Sequence, residues 1–280
     1  MRKRNLTGAL RAEIAKLATT RMWLILALVL FGYIALLAGG LAALFGGLDS
    51  GAIGPDAAGN RGGQGTPPLG SLPPLIYSFA SSVGYVFPVL LGALATTGEF
   101  RHQTLTPTFL ATPRRGLVLG AKTATLFSAG AIFGAIALLA SVGMGALVLA
   151  AFGVDPLLDD SDTWAQLGRS VLAMALWATI GVGLGVLVPS QVASIVIVLA
   201  FTQFIEPLLR FASMFTEITA GIGRFLPGAA SDALVGASFF TIASPASSIL
   251  EWWQGGLVLL AYAVVATIGG YFVSWKRDVT

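Results

Sequence analysis

Few residues in this 280-residue chain could carry out covalent chemistry. The chain has no cysteine, which excludes disulfides, thiolate metal sites and cysteine nucleophiles. His102 is the single histidine, so a polyhistidine metal site is excluded and a histidine-based triad would depend on that one residue. Because His102 lies in a basic loop, away from the apolar segments, an intramembrane serine protease is not expected.

The segment Gly116–Thr123 approaches the phosphate-binding motif G-x-x-x-x-G-K-[ST], whose backbone amides and lysine surround the phosphates. Ala121 stands where the motif needs its second glycine, directly before Lys122. The segment also continues into a long apolar run. The sequence therefore predicts no catalytic, cofactor or metal site in this chain, and it is not expected to be an enzyme.

Hydrophobic residues make up 56% of the chain and charged residues 10%, and the mean hydropathy is +0.85. A soluble domain carries roughly 25% charged residues, so lipid must be the solvent for much of this chain. The net charge of +3 does not indicate nucleic-acid binding, because most charges lie at the ends of apolar runs. We expect an all-α, polytopic membrane protein with a single transmembrane domain over residues 1–280.

Six apolar segments are long enough to cross a hydrocarbon core about 30 Å thick. They are residues 22–45, 75–97, 117–152, 170–188, 192–209 and 253–274. The third is unusually long, which predicts a tilted helix or one that extends beyond the bilayer. Pro189 separates the fourth and fifth segments and predicts a tight hairpin there, because proline interrupts a helix.

The Lys and Arg residues are divided unequally between the two sides of the predicted bundle. Twelve of the 16 lie in the N-terminal segment, in the loop after the second span and at the C-terminus. The remaining four lie in the loops of the opposite side. By the positive-inside rule, we expect a multi-pass protein of the plasma membrane with both termini cytoplasmic.

Two segments outside the spans carry further apolar residues. Residues 1–21 contain Leu6, Leu10, Ile14 and Leu17 at helical spacing, with Arg11, Glu13 and Lys16 off that stripe. This pattern predicts an amphipathic helix in the cytoplasmic interface with its cations near lipid head groups. The alternative is a helix packed on the ends of other spans. Residues 210–252 are rich in Phe and broken by Gly and Pro, which predicts short re-entrant helices.

The loop at residues 98–116, after the second span, predicts a short helix at the cytoplasmic face. Thr106 before Pro107 is typical of a helix start, and Pro113 would end the helix about two turns later. Such a helix would present Phe109 and Leu110 as an apolar knob, suited to a groove on a partner protein. The charged rim of this knob would be Glu99, Arg101, Arg114 and Arg115. The alternative is an ordinary loop whose basic residues only set the topology.

The order of elements, the runs Gly98-Glu99-Phe100-Arg101 and Ala111-Thr112-Pro113-Arg114-Arg115, and the intervening Thr104 resemble permease subunits of ABC transporters. The class they resemble is the six-span type-2 exporters. The run Leu10–Leu17, followed by Thr19-Thr20-Arg21, is similar to the start of many such permeases. The likeness covers nearly the whole chain. One departure is Gln103, because a glycine often precedes the threonine at this point in the family.

The resemblance implies roles for several segments. Residues 1–21 would form the interfacial connecting helix, and residues 210–252 would cap the outer end of a pathway between two identical or homologous copies. Residues Thr106–Thr112 would be a coupling helix seated on a separate ATPase subunit that binds ATP and Mg²⁺. The residues implied in this coupling are Glu99, Arg101, Thr104, Thr106, Pro107, Phe109, Leu110, Pro113, Arg114 and Arg115.

The fifth span carries the residues most suited to lining a pathway. Glu206 is an ionisable residue within a span, which makes it a functional candidate by default. The alternative is a structural ion pair with Arg210, four residues later on the same helix. Gln203, and Gln191 at the inner end, are further candidates.

Two other function classes remain open at this point. A stand-alone secondary transporter usually has more spans, internal inverted repeats and charges near the midplane, and the chain shows none of these clearly. A non-transporting membrane scaffold or sensor needs none of them. The nature of a transported substrate does not follow from any residue pattern in the chain.

Overall fold

The computed structural model describes residues 6–49, 72–213, 215, 217–238 and 250–276. These residues form helices joined by turns, with no strand in the described ranges. The helices are α1 (Leu6–Thr19), α2 (Met22–Asp49), α3 (Leu72–Ser82), α4 (Val86–Arg101), α5 (Leu105–Ala111), α6 (Arg115–Ala151), α7 (Ser161–Leu187), α8 (Gln191–Ala200), α9 (Glu206–Ala212), α10 (Glu217–Gly223), α11 (Pro227–Val235) and α12 (Trp252–Gly270).

Six helical segments among the described residues are long and apolar enough to cross a membrane, which confirms the predicted number of spans. Spans 1 to 6 are Met22–Leu48, Leu72–Arg101, Arg115–Ala151, Ser161–Leu187, Gln191–Ala212 and Trp252–Trp275. The chain is therefore compatible with a multi-pass membrane protein. Span 3, with 37 residues, is about 55 Å long and exceeds the hydrocarbon core, as predicted from its length.

Span 4 begins at Ser161, well before the predicted start at residue 170. The Asp160 side chain caps this helix by accepting a hydrogen bond from the Asp162 N–H at 3.2 Å. Hydropathy alone did not predict these first turns of the helix, because they contain several polar residues. Gln166, for example, is buried and donates from Nε2 to the Pro74 carbonyl at 2.7 Å. The interruption at residues 188–190 confirms the break predicted at Pro189, and α8 then packs mainly against α4 rather than back along α7.

Span 4 lies at the centre of the bundle, where it packs against spans 2, 3 and 6. Glycines permit the close approach of these helices. A Cβ atom at Gly181 would lie 2.9 Å from the Val89 carbonyl carbon, and one at Gly130 would lie 2.7 Å from the Met174 carbonyl oxygen. The small-residue motifs Gly181-x-x-x-Gly185 and Gly130-x-x-x-Gly134 thus serve packing within one chain.

Prolines alter the backbone hydrogen bonding of two spans. Pro88 has no N–H for the Gly84 carbonyl, and span 2 is interrupted between Ser82 and Val86. Pro207 likewise has no N–H for the Gln203 carbonyl, but span 5 stays helical, and its preceding turn, Phe201–Ile205, is π-helical. There the Glu206 N–H donates to the Phe201 carbonyl, five residues back.

Helix α1 directs its two sides to different surroundings. Leu6 and Ile14 of the predicted apolar stripe are exposed, whereas Ala9 and Glu13 are buried, and α1 packs against α6 of span 3. Leu10 is half-buried and Leu17 packs against the core, which agrees with the alternative of a helix packed on the ends of other spans. Contact of Leu6 and Ile14 with lipid stays a prediction. Residues 1–5 of the predicted N-terminal segment lie outside the described residues.

Helices α10 and α11 lie in the predicted re-entrant segment, of which residues 214, 216 and 239–249 fall outside the described residues. Helix α11 is largely buried and packs against α12, α7 and α3. The Phe225 carbonyl, just before α11, accepts a hydrogen bond from the Tyr262 hydroxyl near the middle of span 6 at 3.2 Å. Ala230 lies against Gly255 in the first turn of that span. Entry of α10 and α11 into the bilayer stays a prediction.

Replacing Gly181 by leucine should destabilise the bundle by about 1–3 kcal/mol, because the added side chain meets the Val89 backbone, which cannot rotate away. Unfolding of the detergent-solubilised chain by SDS measures this change. Gly143→Leu is the matched control, since a Cβ atom at Gly143 meets nothing within 4 Å. Equal losses for the two variants would contradict close packing at Gly181.

Candidate functional site

Four charged side chains from three helices form a closed set of ion pairs at the end of the bundle that carries the predicted coupling loop. The Lys16 Nζ of α1 lies 2.6 Å from Glu13 Oε1 and 2.7 Å from Glu99 Oε1. The Lys122 Nζ of α6 lies 2.7 Å from Glu13 Oε2 and 3.1 Å from Glu99 Oε1. Each lysine bridges both glutamates. We call Glu13, Lys16, Glu99 and Lys122 the charge ring.

The charge ring is held away from water. Glu13, Glu99 and Lys122 are buried, and only the Lys16 side chain, at 38% exposure, reaches the surface. Burial acts to raise the Glu13 pKa, but the pairs with Lys122 and Lys16 outweigh it and leave that pKa below its ordinary value of 4.5. Burial acts to lower the Lys16 pKa, and the two glutamates outweigh it in the same way. The ring therefore joins α1, the end of span 2 and the start of span 3 through largely buried ion pairs.

Only Glu99 of this ring was among the residues predicted to act in coupling. The expected placement of Lys16 among lipid head groups is wrong, because its ammonium group bonds to Glu13 and Glu99. Two signals in the sequence could have indicated the ring. Glu13 and Lys16 have the i,i+3 spacing of a helical ion pair, and Lys122 is an ionisable residue within an apolar span.

Helix α5 is fixed to the end of span 6 by aromatic contacts. The Phe109 and Phe100 rings both meet Trp275 edge-on, at centroid distances of 5.5 and 5.9 Å. The Arg115 guanidinium lies 5.0 Å from the Phe109 ring centroid. Trp275 is buried, and its Nε1 donates to the Arg115 carbonyl at 3.0 Å. The orientation of α5 therefore depends on side chains from spans 2, 3 and 6.

The surface that α5 offers differs from the predicted one in two respects. Leu110 is 81% exposed, but Phe109 turns inward to Trp275, so the expectation that both are presented is wrong for Phe109. Thr106 is not the N-cap, since the helix begins at Leu105 after Thr104. Pro107 is then the third helical residue and still falls among the first four, whose N–H groups have no helical partner.

The other predicted coupling residues surround α5. Arg101, Thr104, Pro113 and Arg114 are exposed at this end of the bundle. Arg101 Nη1 donates to the Gln191 Oε1 at 3.0 Å, which brings the loop into contact with the first residue of span 5. Gln103 has a φ angle of 53°, in the left-handed region that favours glycine. This conformation explains why glycine is suited to the position.

A second polar cluster lies where span 5 meets α11. Arg210 forms an ion pair with Asp232 of α11, and the Gly228 N–H at the start of α11 donates to Glu206 Oε1. Glu206 and Asp232 are both buried. These two bonds link span 5 to α11, and the alternative of a structural ion pair between Glu206 and Arg210 stays a prediction.

Spans 2 and 4 complete this second cluster. Trp177 Nε1 of span 4 donates to Ser231 Oγ of α11 at 3.1 Å. The Tyr85 ring, next to the break in span 2, stacks on Trp177 with 4.3 Å between centroids. The Tyr85 hydroxyl donates to the Thr202 carbonyl in the π-helical turn of span 5, at 3.4 Å. We call Tyr85, Trp177, Glu206, Arg210, Ser231 and Asp232 the span 5–α11 cluster.

Neither cluster has the composition of a metal site. No group of three or more His, Cys, Asp or Glu residues that could hold a metal ion occurs in the described part of the chain. The arrangement can instead transmit displacement, because each cluster joins three or more helices through buried polar contacts. Gln203, the remaining predicted pathway residue, is exposed on span 5.

Replacing Lys122 by methionine should cost about 3–5 kcal/mol of unfolding free energy, because it leaves two buried carboxylates with one lysine between them. Lys16→Met should cost less, since Lys16 is partly exposed and water can solvate its partners. The measurement is SDS-induced unfolding at neutral pH. The combined Lys122→Met and Glu13→Gln variant should recover part of the loss. A larger effect of Lys16→Met would contradict the buried ring.

Replacing Arg210 by methionine should increase hydrogen–deuterium exchange in residues 227–235, because Asp232 then loses its ion pair and α11 loses a link to span 5. Amide exchange followed by mass spectrometry measures this change. Leu208→Met, on the same helix at an exposed position, is the control. Unchanged exchange in α11 of the arginine variant would show that the ion pair does not hold this helix.

No protein-family model matches the chain, and no curated protein matches it. The resemblance to ABC permeases therefore rests on the sequence motifs and the order of elements alone. What the structure itself establishes is a bundle with six helical segments long and apolar enough to cross a membrane, a short helix at one end and a polar cluster between span 5 and α11.

Proposed function

We propose that this chain is the membrane-spanning permease subunit of an ATP-driven ABC exporter. Two copies, identical or homologous, would form a translocation pathway in the plasma membrane, with both termini in the cytoplasm. Each copy would dock on a separate ATPase subunit, which binds ATP and Mg²⁺. The supports are the six spans, the motifs around the loop at residues 98–116 and the distribution of Lys and Arg.

The observation that carries the proposal is the exposed apolar side chain on α5, together with the aromatic contacts that fix this helix to the bundle. Leu110 projects from a helix of seven residues and is 81% exposed, with Thr106, Pro107 and Ala111 exposed beside it. The helix is held from behind by Phe109 and Trp275. A rigid helix with one projecting apolar side chain suits a groove on a water-soluble partner, because such a helix loses little conformational entropy when it binds.

The charge ring would transmit a displacement of α5, caused by docking, to the spans. A displacement of α5 acts on the end of span 2 at Glu99 and on the start of span 3 at Arg115. Glu99 bonds to Lys16 of α1, and Lys122 of span 3 bonds to both glutamates. Because breaking a buried ion pair is costly, these three helices should move together when the ATPase subunits close.

Span 5 would receive the same displacement through the bond from Arg101 to Gln191. Its other end bonds to α11 through Glu206 and Arg210. The contact of Phe225 with Tyr262 near the middle of span 6 supports the role of α10 and α11 as a re-entrant pair over the outer end of the pathway. Movement at the ATPase side would then reach that outer end through span 5.

A stand-alone carrier driven by an ion gradient is the second candidate, favoured by the buried Glu206 and Asp232 beside the spans. Proteoliposomes of the purified chain, loaded with a pH-sensitive dye, separate the two. A carrier would dissipate an imposed pH gradient when members of a compound set are added, without any ATPase. The exporter gives no such flux until its ATPase and ATP are supplied.

Leu110→Asp should abolish co-purification of the chain with its ATPase subunit, because a charge replaces the apolar side chain at the centre of the docking surface. The measurement is affinity purification in mild detergent with each ABC ATPase encoded beside the gene. Phe215→Asp, at a phenylalanine that is 71% exposed beyond the other end of span 5, is the control and should retain the complex. Failure of the unaltered chain to bind any of these ATPases would contradict the proposal.

A further inference from the structure

Span 5 is covered on one side only. It packs mainly against α4 of span 2, and few of its side chains are buried. Val192, Val196, Leu199 and Gln203 are exposed at successive spacings of four, three and four residues. This is the spacing of the a and d positions through which two helices pack along a common seam. We call these four residues the span 5 stripe.

Gln203 is a costly side chain to leave facing hydrocarbon. Away from the span ends, it is the one exposed side chain with an amide or a formal charge at neutral pH in the described spans. Its Nε2 donates to the neighbouring Thr202 Oγ1 at 3.3 Å. A glutamine amide carries two N–H donors and a carbonyl acceptor, so this bond uses only part of its capacity. Polar groups at this depth need protein partners, because lipid tails offer none.

The local backbone adds to this polarity. Pro207 lies four residues after Gln203 and has no N–H to give to the Gln203 carbonyl. The turn Phe201–Ile205 is π-helical, and such turns are frequent at functional sites. The side-chain amide and the backbone distortion therefore coincide at one point of the exposed stripe.

We propose that two copies of this chain meet along the span 5 stripe, with the two Gln203 amides hydrogen-bonded to each other across the two-fold axis. The inference rests on the proposed function for the pairing of two copies, and it identifies the seam. A glutamine amide is both donor and acceptor, so it is complementary to itself at a symmetric interface. A single polar residue at an a position also fixes the register of two helices.

The other exposed faces suit lipid better than a second copy. Span 1 exposes aliphatic side chains such as Leu24 and Leu28, together with the aromatic Phe31 and Tyr33. Span 6 exposes Leu257 and Val265, and the hydroxyl of its exposed Tyr262 already donates to the Phe225 carbonyl. Lipid tails satisfy such surfaces as well as protein does, so nothing drives them to associate. The amide of Gln203 distinguishes span 5 from both.

The absence of cysteine from the chain makes single-cysteine cross-linking a direct test. In membranes treated with copper–phenanthroline, Gln203→Cys and Val196→Cys should each give a disulfide-linked dimer on a non-reducing gel. A disulfide requires the two Cα atoms to approach within about 7 Å, so only residues near the seam qualify. Val196→Cys keeps the Gln203 amide. Leu139→Cys and Val265→Cys, exposed on spans 3 and 6, should remain monomeric.

A second measurement tests the amide itself. Gln203→Leu should raise the dimer dissociation constant in lipid nanodiscs or bicelles by about fivefold, the effect of one interhelical hydrogen bond in a bilayer. Gln203→Asn should lie closer to the unaltered chain, because it keeps the amide. Equal dimer stability for Gln203→Leu and the unaltered chain would overturn the role of the amide.

The same membranes separate failure of this seam from failure of the proposed function. Dimers formed only through Leu139→Cys or Val265→Cys, or no dimer at any position, would overturn the seam. Co-purification of the unaltered chain with an ABC ATPase would leave the permease proposal intact in either case. If the unaltered chain instead binds no ABC ATPase while Val196→Cys still forms the cross-linked dimer, the seam is supported and the permease proposal is contradicted.

Discussion

The charge ring is the interaction on which the rest of this structure depends. Glu13, Glu99 and Lys122 are buried, so each is tolerable only while its partners are in place. This condition joins α1 to the ends of spans 2 and 3 and fixes the frame from which α5 projects. The ring contributes positional accuracy more than stability, because apolar side chains of similar volume could fill the same space without the cost of desolvation.

Span 5 connects the two polar regions of the molecule. Gln191 at its first residue bonds to Arg101 of the loop before α5, and Glu206 and Arg210 bond to α11 near its other end. Between these points the helix contains a π-helical turn and an exposed stripe. A helix held at both ends and loosely packed between them can change position with little repacking. The more buried span 4 is suited to remain still.

The sequence predicted the six spans because a bilayer demands about 20 apolar residues for each crossing. It could not predict which polar groups meet after packing. Glu13 and Lys122 are 109 residues apart, and their bond exists only once α1 and span 3 are in contact. The inward turn of Phe109 likewise depends on Trp275 of the last span. The exposure of Leu110 was predictable, since α5 is short and lies outside the spans.

The account's central claim is that α5 is the point at which an ATPase subunit acts on this bundle. A photoreactive benzophenone attached to Leu110→Cys tests it directly, because the chain has no other cysteine to label. After irradiation of native membranes, mass spectrometry identifies the cross-linked partner. The account predicts an ABC ATPase subunit joined at residue 110. Adducts with lipid or with other membrane proteins alone, and none with an ATPase, would contradict it.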